Sequence, residues 1–151
     1  MLATNHVLAG AVIGTYTANP AVGFAAGVLS HFAMDLIPHW GPDRSDAEVA
    51  HRQYLAVART DGLLLLAAGL AVVLAAPEAQ RIAVAAAAFG ALLPDLDKPF
   101  EHFFGRFVAH RPLWGVWFAR INERLQPEAP SRWWVEVAGA ITFVALLLAK
   151  L

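Results

Sequence analysis

Every residue from Gly62 to Ala76 is glycine, alanine, valine or leucine. No side chain in that run can form a hydrogen bond, so the backbone must satisfy its own polar groups. A helix does this, whether it lies in lipid or in a packed interior. The run alone is short of the roughly 20 residues that cross a bilayer. The segment before it, 47–60, mixes apolar residues with His51, Arg52 and Arg59 and ends at Asp61. The two together read as one long helix, wet at its start and lipid-embedded after Asp61. The chain as a whole is 58% hydrophobic and 15% charged, where soluble domains carry about 25% charged residues. The expected fold is therefore an all-α, polytopic integral membrane bundle. It has about four to five apolar helices and an interfacial amphipathic helix, in a single domain over residues 1–151.

The other apolar runs fit this plan. Val7 to Ala18 carries Gly10 and Gly14, and Ala21 to Ile37 carries Gly23 and Gly27. Glycines four apart let a second helix approach closely. Asn19-Pro20 between the runs marks a turn with proline at the first helical position, so a tight hairpin is expected. The same glycine faces could serve a homo-oligomer. Ser45 or Asp46 can N-cap the long helix. Pro77-Glu78 turns the chain into an alanine-rich helix, Ala79 to Leu93, which stops at Pro94. Phe100 to Leu125 interleaves phenylalanine and tryptophan with arginine and is expected at the headgroup level. Trp133 to Leu148 is a last apolar helix with a Trp-Trp anchor. Residues 5–41 and 62–98 form a weak repeat.

Several functions are excluded at once. A net charge of −1 leaves no basic footprint for nucleic acid. The chain has no cysteine, so thiolate metal sites, disulfides and cysteine nucleophiles are ruled out. Met1 to His6 lacks the basic start of a secretory signal, so the first helix is expected to be retained.

The chemistry lies at the helix ends. His31, Asp35 and His39 are spaced four apart, about one helical turn each. Two imidazoles and a carboxylate in that pattern make half of a divalent-metal site. Leu92-Leu93-Pro94-Asp95-Leu96-Asp97 places two carboxylates just beyond another apolar helix. Counting crossings puts His6, His31, Asp35, His39, Asp61, Asp95 and Asp97 at one membrane level. Ionisable groups at that depth are costly and mark function. The same count puts nine of the eleven lysines and arginines on the ligand-bearing side, with only Arg81 and Lys150 opposite. The positive-inside rule then faces the site to the cytoplasm. The expected metal ligands are His6, His31, Asp35, His39, Asp95 and Asp97, holding one or two divalent ions, zinc first and manganese second. Paired ions suit in-line displacement at phosphorus. Asp61 or Asp97 could act as base, and His110 and Arg111 could contact the substrate.

These residues resemble the YdjM-like, LexA-regulated family of inner-membrane metal-dependent hydrolases. The matching pieces are His6-Val7-Leu8-Ala9-Gly10, Leu92-Leu93-Pro94-Asp95-Leu96-Asp97 and His110-Arg111. Lys98 stands where that family tends to carry histidine, and Pro112 onward departs from its His-Arg-Gly-x-Thr-His pattern. His31-x3-Asp35 followed by Pro38-His39 is also similar to an element of zinc-dependent phospholipase C. The resemblance implies a multi-pass protein of the bacterial inner membrane that hydrolyses a phosphoester or phospholipid-type substrate. Two other readings stay open: a non-catalytic membrane scaffold with a degenerate site, and a metal-ion transporter.

Overall fold

The computed structural model describes residues 1–96, 98, 117, 120–121 and 127–151. Among these are five α-helices: α1 (Ala3–Thr17), α2 (Pro20–Asp35), α3 (Ala47–Ala75), α4 (Arg81–Leu92) and α5 (Trp133–Leu148). Short 3-10 turns cover Glu78–Gln80, Leu93–Asp95 and Pro130–Arg132. The interfacial stretch expected over Phe100 to Leu125 falls almost wholly outside the described residues. So do Asp97, His110 and Arg111.

Helix boundaries follow the local chemistry. Asn19 caps α2, its side chain accepting from Ala21 and Val22, with Pro20 at the first helical position. Asp46 caps α3 through Glu48 and Val49. Helix α2 ends at Asp35, two residues short of the expected Ile37, because the residue before Pro38 is driven from helical angles. Helix α1 closes on Ala18, which takes a left-handed φ of 49° while its N–H donates to the Gly14 carbonyl.

Helix α1 is the centre. It packs against α2, α3, α4 and α5, and its residues Asn5 to Ala11 are all buried. A core of Leu8, Ala11, Ala76, Val84 and Leu147 joins α1 to α4, α5 and the C-terminal end of α3. The glycines set the spacing. A Cβ on Gly10 would meet the Ala87 carbonyl oxygen at 2.5 Å, on Gly14 the Val84 Cα at 2.4 Å, and on Gly27 the Ala87 oxygen at 2.2 Å. Gly90 of α4 would meet the Phe24 oxygen at 2.3 Å. The small-residue faces therefore let α1 and α2 seat directly on the backbone of α4. Those glycine faces are thus in contact within the chain.

Two helical stretches, Ala47–Ala75 and Pro130–Leu148, are long and apolar enough to cross a membrane. Their apolar side chains face outward: Leu63, Leu66, Leu70 and Leu74 on α3, and Ile141 and Leu148 on α5, are exposed. Contiguous exposed apolar surface of this kind marks a membrane or partner interface. Helices α1, α2 and α4 have 15, 16 and 12 residues, about 18–24 Å long at 1.5 Å per residue.

Candidate metal centre

Three helix ends meet here. His6 lies in the first turns of α1. His31 and Asp35 close α2, and Asp95 ends the 3-10 turn that follows α4. All four are buried. Donor atoms of His6, His31 and Asp95 lie within 4.8 Å of one another. Asp35 bridges the two imidazoles: its Oδ1 is 3.2 Å from His6 Nε2 and its Oδ2 is 3.2 Å from His31 Nε2. Asp95 Oδ1 is 3.4 Å from His31 Nε2. The two rings stack with centroids 4.0 Å apart.

The donor set fits a tetrahedral divalent ion on three counts. Zinc bonds of about 2.0–2.1 Å to nitrogen and oxygen imply neighbouring donors about 3.3–3.4 Å apart, close to the separations seen. Next, His31 Nδ1 lies 2.8 Å from the Ala91 carbonyl oxygen. That carbonyl accepts only, so Nδ1 carries a proton and Nε2 is the ring atom turned to the carboxylates, the arrangement that backs a metal-bound histidine. Third, His6 is fully buried; its Nε2 faces the Asp35 carboxylate at 3.2 Å, and its Nδ1 makes no hydrogen bond with any described residue. A buried polar atom without a partner is costly, and a cation would satisfy it.

Two ammonium groups balance the carboxylates. The α-amino group of Met1 is 2.8 Å from Asp35 Oδ1, and Lys98 Nζ is 2.8 Å from Asp95 Oδ1. Burial alone would raise the Asp95 carboxyl, but the Lys98 ammonium and His31 hold it below the usual carboxylate range. Burial likewise works against the Lys98 ammonium, and Asp95 more than compensates, raising it.

His39 was expected among the ligands but is not one of the three gathered donors. Beyond Pro38 the chain leaves α2 and pairs with 127–129: the Ala129 N–H donates to the His39 carbonyl at 3.0 Å. His39 Nδ1 is 2.8 Å from the Ile37 carbonyl oxygen, and Nε2 is buried with no hydrogen bond to a described residue. Burial pushes its imidazole toward the neutral form. Glu128, 3.9 Å from His39 Nε2, pairs with Arg44.

Asp61 was expected to be catalytic. In the structure both of its carboxylate oxygens are engaged on α1, accepting from the N–H groups of Ala3 at 2.8 Å and Thr4 at 3.2 Å. That geometry makes it the cap that α1 lacks in its own sequence. Glu136 of α5 completes the cap, accepting from the Leu2 N–H at 3.0 Å and from Asn5 Nδ2 at 2.7 Å. Sequence reasoning missed Asn5 and Glu136. The signal was present, since Glu136 is the one charged residue in the apolar run Trp133–Leu148.

A pocket of about 180 Å³ opens beside the cluster, with Asp95, Lys98, His39, Tyr54, Asp61 and Glu128 in its wall. Asp95 belongs to both the cluster and the pocket. Compared with known proteins, the chain matches no family model, no curated protein and no solved structure.

Proposed function

We propose that this protein is a membrane-bound, metal-dependent phosphoester hydrolase. The carrying observation is the buried convergence of His6, His31 and Asp95 donors within 4.8 Å, bridged by Asp35. His6, His31, Asp35 and Asp95 would hold a divalent ion, with zinc favoured by a donor set of two imidazoles and two carboxylates. Such an ion supplies Lewis acidity and lowers the pKa of a water in its shell. Asp95 faces the adjoining pocket, where Lys98 offers positive charge to a phosphoryl oxygen and His39 Nε2 can take or return a proton. The two apolar spans and the excess of arginine and lysine on the ligand-bearing side support a multi-pass inner-membrane protein with its site toward the cytoplasm. The similarity to the YdjM-like hydrolases points the same way.

The test is elemental analysis of the detergent-purified protein beside phosphomonoesterase and phosphodiesterase assays. Wild type should carry at least one zinc or manganese per chain and turn over one ester class. His31→Ala and Asp95→Asn should lose both metal and turnover. A folded, metal-free, inactive wild type would end this reading. One observation favours the alternative of a non-catalytic scaffold: Lys98 already neutralises Asp95. Under that reading His31→Ala leaves cellular function intact while Gly27→Leu abolishes it.

A further inference from the structure

Polar contacts mark both ends of the bundle, and little length lies between them. At the ligand-bearing end, Asp61 of α3 accepts from the Ala3 and Thr4 N–H groups, and Glu136 of α5 accepts from the Leu2 N–H. These bonds set Asp61 and Glu136 beside the first turn of α1. At the far end, the Lys150 ammonium lies 4.6 Å from the centre of the Tyr16 ring. Arg81 donates there to the Ala76 carbonyl at 3.1 Å, where α3 ends. Between the marks run Thr4 to Tyr16 on α1, Asp61 to Ala76 on α3 and Glu136 to Lys150 on α5. At a rise of 1.5 Å per residue these are about 18, 22 and 21 Å long.

The outer surface between the marks is apolar on four helices. Leu29 of α2, Leu66 and Leu70 of α3, Ile82 and Phe89 of α4 and Ile141 of α5 are all more than half exposed. All four helices pack on α1. A protein docked from one side would meet one or two of them, whereas a bilayer covers an apolar belt carried by all four. On α3 the belt stops at Thr60 and Arg59, which are exposed one turn before Leu63. On α5 it stops at the exposed Trp133 and Trp134, residues suited to the headgroup level. Even counted from Trp133 to Leu148, 16 residues, the belt is about 24 Å tall. A hydrocarbon core of about 30 Å exceeds it by about 6–12 Å. A belt that is too long can tilt to fit, but tilting shortens one that is already short. The bilayer must thin instead.

We propose that this protein is fitted to a thin bilayer, its belt preferring lipids with short acyl chains and drawing longer ones thin around it. This rests on the membrane location proposed above and is independent of the hydrolase chemistry.

The test uses the full chain, reconstituted in phosphatidylcholine vesicles. The probes are brominated phosphatidylcholines with chains of fourteen, eighteen or twenty-two carbons, each mixed with the same unbrominated eighteen-carbon lipid. Bromine quenches tryptophan on contact, so quenching against the brominated fraction gives the relative affinity of each lipid for the belt. Fourteen-carbon chains should bind about threefold or more tightly than twenty-two-carbon chains. Equal affinity at all lengths, or tightest binding at eighteen carbons or more, would overturn the inference and leave the membrane location standing. Absence of quenching by every brominated lipid would overturn both.

Discussion

Gly27→Ala joins the packing of the bundle to the chemistry of its site. A Cβ at this position would lie 2.2 Å from the Ala87 carbonyl oxygen and 2.9 Å from the Ala91 nitrogen. Both are backbone atoms of α4 and cannot rotate aside. Carbon–oxygen contacts settle at about 3.3 Å or more, so α2 and α4 must part by about 1 Å. Overpacking costs about 1–3 kcal/mol, and an unyielding backbone contact belongs at the upper end. Alanine recovers about 1 kcal/mol of helix propensity over glycine, leaving about 2 kcal/mol of destabilisation. For a chain of this size that lowers the melting midpoint by about 4–8 °C. The same movement reaches the site. His31 lies one turn beyond Gly27, and its Nδ1 is 2.8 Å from the Ala91 carbonyl. Opening the interface by about 1 Å breaks that bond, and loss of such backing lowers metal affinity about 10- to 100-fold. Gly62→Ala is the control, because a Cβ there meets nothing within 4 Å. It should stabilise α3 by up to about 1 kcal/mol and leave zinc affinity unchanged. Thermal unfolding in detergent and zinc competition with a chromophoric chelator read both effects. A Gly27→Ala protein with wild-type midpoint and zinc affinity would refute the packing argument and its link to His31.

Further outcomes follow from other residues. Ala18→Gly removes the cost of a left-handed backbone at φ 49° and should raise stability by about 1 kcal/mol in a denaturant titration. Asp61→Ala strands the Ala3 and Thr4 N–H groups and should cost about 2–4 kcal/mol, whereas Asp61→Asn retains one acceptor and should cost less than half of that. Lys98→Met removes the ammonium that competes for Asp95, so zinc affinity should rise while phosphonate affinity falls; a parallel fall in both would place Lys98 in the scaffold alone. Leu66→Arg, on the exposed face of α3, should disfavour membrane insertion by about 3 kcal/mol in a glycosylation-mapping assay, and normal insertion would show that this face does not meet lipid.

The helices were legible because their periods, caps and breakers are local. Asp46, Asn19 and Pro20 act where the sequence places them, and α3 is the single long helix that Gly62 to Ala76 required. The core of the site was legible for a related reason. Helix ends alternate between two levels, so His6, Asp35 and Asp95 had to arrive together, and His31 lies one turn from Asp35. What escaped depends on pairings distant in the chain. Nothing near His39 announces that its strand pairs with residues 127–129, which carry it out of the cluster. Asp61 looked reactive because its partners, the free N–H groups of α1, leave no trace in composition. The glycines of α1 and α2 suggested a partner helix without saying which. Small residues along α4, notably Ala83, Ala87 and Ala91, are the complement that would have identified it.

The enclosure of α1 also bears on how the protein is made. The helix that carries His6 leaves the ribosome well before Glu136 and Leu147, which pack against it from far along the chain. Until α5 arrives, the Leu2 amide and the Asn5 side chain have no acceptor on that side, and α1 is too short to wait in a bilayer as a settled span. On the metal-dependent reading proposed above, ion loading follows completion of the bundle, and a ribosome-stalled chain ending before Trp133 should emerge without metal.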